Sequence, residues 1–128
     1  FALFLDAAEQ GYIYAQWNLA NMYVDGQGVA QDFGEAYKWN LLAAEQGDPS
    51  AANNLGVMHV VGQHVPQSKI HAHMWFNIAR YGGDTTAELN LNDLVKQMTS
   101  MQIAAAEDLA VKCALREFKD CDRPQLDN

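Results

Sequence analysis

Positive charge is missing from the start of this chain. No Lys or Arg occurs before Lys38, although Asp6, Glu9, Asp25, Asp32 and Glu35 all do. Over the whole 128 residues eight Lys and Arg stand against sixteen Asp and Glu, a net charge of −8. Such a surface repels phosphate backbones, which argues against nucleic acid as a partner, and it disfavours anionic membrane surfaces. Uninterrupted apolar runs long enough to span a bilayer are absent, as is a secretory leader pattern. There are only two cysteines and three prolines, too few for a disulfide scaffold or a proline-rich linker. The serines, Ser50, Ser68 and Ser100, lie in neither G-x-S-x-G nor S-x-x-K. What remains, 49% hydrophobic and 19% charged residues, is an ordinary balance for one globular domain.

What is present is a repeat. AAEQG at residues 7–11 recurs at 43–47, and laying 7–47 over 43–83 gives 18 identities in 41 positions. A period of this length marks a stacked array of similar units. Ala15, Leu19, Met22 and Tyr23 fall at i, i+4, i+7 and i+8, one helical face. Ala20 and its counterpart Gly56 are small, where a neighbouring helix must come close. Asp25-Gly-Gln-Gly-Val29 follows, a loop tolerant of positive φ. Asp32 and Glu35 read as a capping box opening a second helix that carries Ala36, Trp39 and Ala43. Gly47 closes it, and Asp48-Pro49 opens the next helix with Pro at its first position. The unit is helix A, Gly loop, helix B, tight Gly turn.

The pattern A-x-x-x-L-[AG]-x-M-[YH]-x-x-G-x-x-V-x-Q, followed by A-x-x-W-x-x-x-A-A-E-Q-G, resembles the Sel-one-like repeat, a relative of the tetratricopeptide repeat. The resemblance covers residues 1–83. It implies an all-α protein, a right-handed α/α superhelix of helix-turn-helix repeats of 36 residues, used for protein–protein interaction. The expected organisation is one solenoid domain over 1–128. Residues 1–10 are the last helix of a truncated repeat, 11–47 and 48–83 are full repeats, and 84–128 form an atypical capping helix pair. In the last segment Ala87 and Leu91 keep the helix A register. The Gly loop is replaced by Gln97-Met-Thr-Ser100, and Thr99-x-x-Gln102 reads as a capping box before a long helix. Atypical ends of this kind are expected of solenoids.

In tetratricopeptide-like stacks the A helices line a concave wall where ligands lie. Carried over by register, the inward positions are Tyr14, Trp17 and Asn21 in the first full unit. Ser50, Asn53 and Val57 are those of the second, and Thr86, Leu89 and Asp93 those of the third. Tyr14 and Trp17 are i, i+3 neighbours, and aromatic rings offer contact area at small entropic cost. The alternative for Trp17 is packing against Phe1 or Phe4. Trp39 and Trp75 read as core. The first unit supplies no inward cation, so a neutral or basic peptide suits the wall better than an acidic tail.

Other candidates have structural readings. His71 and His73 lie about 200° apart on a helix and cannot share a metal from it. His59 and His73 occupy the slots of Tyr23 and Tyr37, and His64 takes the place of Gly28. A metal site would need His59, His64 and a carboxylate to converge; no metal and no cofactor is assigned. Ser68 and Ser100 sit at helix starts, and Glu107-Asp108 reads as solvated charge. Cys113 and Cys121 share the spacing that a cysteine-rich, secreted branch of the resembled family uses for a disulfide. Within a continuous helix they would be about 12 Å apart. They are therefore either bridged across a turn near Phe118–Asp120, where no Gly stands, or two free thiols.

The reading is a non-catalytic module binding a protein or peptide, with no nucleic acid or membrane partner and with its compartment undefined. Two alternatives stand beside it. One is a hydrolase acting on cell-wall-type substrates, as claimed for relatives, which would need a pocket with converging polar groups. The other is a structural fragment of a longer array, self-associating through the N-terminal helix with its Phe1, Phe4 and Leu5.

Overall fold

The computed structural model describes residues 1–121; the last seven residues of the expected capping unit, 122–128, lie outside the described residues. Among the described residues there are seven helices and no strand. They are α1 (Ala2–Glu9), α2 (Ile13–Asp25), α3 (Phe33–Glu45), α4 (Pro49–Val61), α5 (Lys69–Tyr81), α6 (Thr85–Val95) and α7 (Ser100–Leu115). Helices α2 with α3, and α4 with α5, form two antiparallel hairpins of matching length, and α3 meets α4 to join them.

Each recurring letter of the repeat has a local cause. AAEQG ends a helix, and its counterpart ARYGG at 79–83 does the same: Gly11, Gly47 and Gly83 adopt φ of +95°, +94° and +98°. At each, the N–H of the next residue (Tyr12, Asp48 or Asp84) reaches back to the carbonyl of Ala7, Ala43 or Ala79. That closes the orphaned last turn, and left-handed backbone favours Gly. Helices α2 and α4 end on Gly26 and Gly62, both left-handed. The paired glutamines of the loops, Gln31 and Gln67, donate through Nε2 to the carbonyls of Val24 and Val60, each at 2.8 Å. They hold the A–B loop against the helix it leaves.

Helix starts follow the same logic. Asp32, Asp48, Ser68, Asp84 and Thr99 each accept a backbone N–H three residues on. Only Thr99–Gln102 completes both halves of a capping box among these. At Asp32 the first half forms, with Glu35 N at 3.1 Å, while the Glu35 carboxylate lies 3.9 Å from Lys38 Nζ. The expected box there is therefore half of one, because the carboxylate has a cation within reach on its own helix.

Two apolar clusters fill the stack. Trp39 sits in the first with Ala8, Ala15 and Leu19, joined by Phe1 and Phe4. Trp75 lies in the second, between Leu55, Met58, Phe76, Leu91 and Cys113. Both indoles are buried, at 5% and 0% exposure, in matching places of successive units. Trp17 packs with Ile13 against the second cluster, not with Phe1 and Phe4 in the first. Gly56 lies under the Phe76 ring, where a Cβ would collide with the aromatic carbons.

The third unit departs from the pattern. Both α6 and α7 dock on α5, so α7 does not fold back along α6 as α3 does along α2. Helix α7 buries Ala106, Ala110 and Cys113 and stops at Leu115, short of Phe118. Cys113 and Cys121 are joined by a disulfide, with Cα atoms 5.1 Å apart. The turn that allows it contains no Gly. Glu117, Phe118 and Asp120 themselves take φ of 55°, 67° and 57°.

Candidate binding surface

The candidate surface is the seam between the first helices of successive units, α2, α4 and α6. Two recesses open along it. One, of about 440 Å³, is lined by Ile13, Tyr14 and Trp17 of α2 and by Asp48 and Ser50 at the start of α4. The second, of about 210 Å³, takes Val57 and Val60 from α4, Phe76 from α5, and Asn90, Asp93, Leu94 and Gln97 around α6. Asn53 ties the two A helices between them: its Oδ1 accepts from Asn90 Nδ2 at 3.0 Å.

Of the nine inward positions, the structure brings Tyr14, Trp17 and Ser50 to the first recess, and Val57 and Asp93 to the second. Asn53 is 9% exposed and engaged with Asn90, so its amide is closed off by the stack. Asn21 is half-buried and lines neither recess; Thr86 and Leu89 are exposed and line neither. Ile13 and Asp48 line the first recess without having been singled out. Asp48 reads as a helix cap, and it is one, its Oδ2 accepting from Ala51 N at 2.8 Å. The clue to Ile13 is its place one residue before Tyr14 in the same first turn.

Tyr14 is 71% exposed. Its ring centroid lies 6.5 Å from that of Trp17, the planes tilted by 33°, within the range of attractive aromatic pairs. Trp17 is half-buried against the core, so one ring is fixed and the other projects. No Lys or Arg lines either recess, and each carries one carboxylate. Since Asp48 is committed to its helix, Ser50 has no base aimed at it within the lining.

The histidines lie elsewhere. His59 stacks on His71 with centroids 5.4 Å apart, and Tyr37 contacts His59 and His64 at 6.2 and 5.6 Å. His71 Nδ1 shares a 2.9 Å hydrogen bond with Ser68 Oγ. Among the described residues no three His, Cys, Asp or Glu side chains form a metal-holding group. Nor is any helix among them long and apolar enough to cross a membrane.

Two stacked helical hairpins of one length, closed by identical turns and joined to an altered third pair, define an α/α solenoid. The Sel1 repeat model matches residues 13–48 and 49–84, and the chain belongs to the Sel1 repeat family, whose members are typically protein-interaction modules. Among solved structures it is similar to a protective antigen of uropathogenic Escherichia coli displaying an SLR fold. The TM-score is 0.82 at 30% identity, covering 98% of this chain and 28% of that one. It is also similar to a Sel1 repeat protein from Oxalobacter formigenes, with a TM-score of 0.69 and 35% identity over 71% of this chain and 26% of that one. A stretch of 32 residues is 59% identical to an exopolysaccharide production negative regulator of Rhizobium leguminosarum bv. viciae. That stretch is 25% of this chain and 12% of the regulator. The chain thus spans a minor part of the length of each of these relatives.

Proposed function

We propose that this chain binds a neutral or basic peptide segment of another protein along the seam of α2, α4 and α6, without catalysis. The observation that carries this reading is the exposed Tyr14 ring beside the anchored Trp17 over a recess that also holds Ser50. An aromatic pair of which one ring is fixed offers contact area at little entropic cost. The absence of cations from the lining, with a net charge of −8, favours a partner that is not acidic. A lining without a paired nucleophile and base supports recognition over hydrolysis. Regulation through binding is in keeping with the regulator that shares the 32-residue stretch.

The test begins with capture of partners from the native host and mapping of the bound segment to a synthetic peptide. Affinity of that peptide is then measured for Tyr14→Ala and Trp17→Ala. Loss of about 1–2 kcal/mol of binding, roughly five- to thirtyfold, is expected for each. Because Tyr14 is exposed, its variant should melt like the parent. A peptide that binds both variants as tightly as the parent chain rules the seam out.

A further inference from the structure

On the side of the B helices a larger hollow, of about 500 Å³, opens between the C-terminal halves of α5 and α7 and the α3–α4 turn. Its volume is in the range of ligand pockets. The lining combines small residues, Ala44, Ala110 and Ala114, with large ones, Pro49, Ile78, Tyr81, Val111 and Phe118. Such a socket accepts a bulky side chain from outside. Two of the large residues are left largely open to water, Tyr81 at 79% and Val111 at 59% exposure.

Its electrostatics are one-sided. The charged side chains in the lining are those of Asp48 and Glu107, both acidic. Two cations lie near the rim and are engaged, Arg80 on the lining residues Asn77 and Tyr81 and Lys119 on a backbone carbonyl. Arg80 donates to Asn77 Oδ1 at 2.8 Å and lies 4.9 Å from the Tyr81 ring centroid; Lys119 Nζ donates to Glu45 O at 3.2 Å. Phe118 is placed in the lining at a cost. Phe118 and its neighbour Glu117 hold left-handed backbone without being Gly, which costs on the order of 1 kcal/mol or more per residue. The Cys113–Cys121 disulfide closes that turn. Outliers of this kind collect where a structure holds a surface in a set shape.

We propose that this groove is a second recognition site, on the opposite side of Asp48 from the A-helix seam and sharing only that residue with it, for a partner polypeptide that inserts a bulky apolar side chain flanked by Lys or Arg. The apolar group packs against the lining alanines, and the flanking cations face the carboxylates of Glu107 and of Asp48, the latter also capping α4 through Oδ2. Tyr81 and Val111 lose their exposure to water when it binds.

Three capped pentapeptides test this by titration into the nitrogen-15-labelled chain: Gly-Lys-Phe-Lys-Gly, Gly-Glu-Phe-Glu-Gly and Gly-Lys-Ala-Lys-Gly. The first should shift the amides of Ile78, Tyr81, Val111 and Phe118 saturably, and the other two should bind about tenfold or more weakly, the loss of an apolar anchor or a charge reversal. Ala114 is exposed and lines the groove, so Ala114→Leu takes up its space from outside the core and should weaken binding by about tenfold with melting retained. Val111→Lys, also at an exposed position, should do the same through charge, and reduction of the disulfide should weaken binding by freeing Phe118. The proposal falls if the first peptide causes no saturable shift at these residues, or if its shifts map to Tyr14 and Trp17. It falls equally if the Ala- or Glu-containing peptide binds as well, or if both variants bind like the parent.

Discussion

At the scale of single residues, the repeat is preserved where backbone or space leaves little choice. Gly28 and His64 occupy equivalent loop positions with φ of 70° and 68°; the conformation survives although the residue does not. His64 gains contact with the Tyr37 ring, an attraction set against the left-handed backbone. Gly56 is the opposite case, an ordinary helical position where space decides. Adding a methyl group there would improve helix propensity by about 1 kcal/mol. It would also drive a Cβ into the ring of Phe76, which is 1% exposed and cannot swing away. Overpacking of a filled core costs about 1–3 kcal/mol and wins. Gly56→Ala should therefore lower the urea midpoint by a net amount of up to about 2 kcal/mol in stability. A variant as stable as the parent would mean that α4 and α5 can separate without loss.

At the scale of elements, legibility in the sequence tracks how local the cause is. The hairpins of residues 13–81 could be read because a cap, a Gly turn or an apolar face is written within a few residues of where it acts. Asp48-Pro49 and Gln46-Gly47 specify a boundary unaided. The docking of α7 on α5 could not be read, because it depends on which distant surface Ala106, Ala110 and Cys113 find. The same holds for the surface residues. Tyr14 and Trp17 share a turn, so their place at one recess follows from local spacing, whereas the pairing of Asn53 with Asn90, 37 residues on, does not. The turn after Leu115 carried no Gly signal, since three non-Gly residues take positive φ there within the loop closed by the disulfide. Cross-linking so short a loop restricts the unfolded chain by about 2–3 kcal/mol, against which the strained turn must be set. Reduction is thus expected to lower stability by at most about 2–3 kcal/mol, less whatever part of the turn's strain it releases. Urea unfolding with and without dithiothreitol measures it. Loss of hydrogen-exchange protection should begin at the end of α7, and an unchanged midpoint would show that the bridge merely decorates a turn already formed.

At the scale of the whole molecule, two pH effects oppose each other. With a net charge of −8, acidification neutralises carboxylates and relieves self-repulsion, which favours the compact state. His73 acts the other way. It lies on α5, is 3% exposed, and has its Nδ1 buried without a hydrogen-bond partner. Burial pushes its imidazole below the ordinary range; the Glu107 carboxylate on α7 partly offsets this, and Arg80 adds to it. The unfolded chain, with an ordinary His pKa of about 6.5, therefore binds more protons than the folded chain in the window just below that value. Stability must rise with pH across this window. The contribution of His73 is complete above about pH 6.5 and is lost progressively as pH falls toward the depressed folded value, at no more than about 1.4 kcal/mol per unit. A His73→Gln variant differs from the parent in this one side chain, so the difference between the two stability curves reports His73 together with its coupling to Glu107. That difference should be constant above about pH 7 and should shift in favour of the variant as pH falls below about 6.5. A difference that stays level through that range would mean that the interface of α5 with α7 admits a charged imidazole, and that the cap is looser than its packing implies.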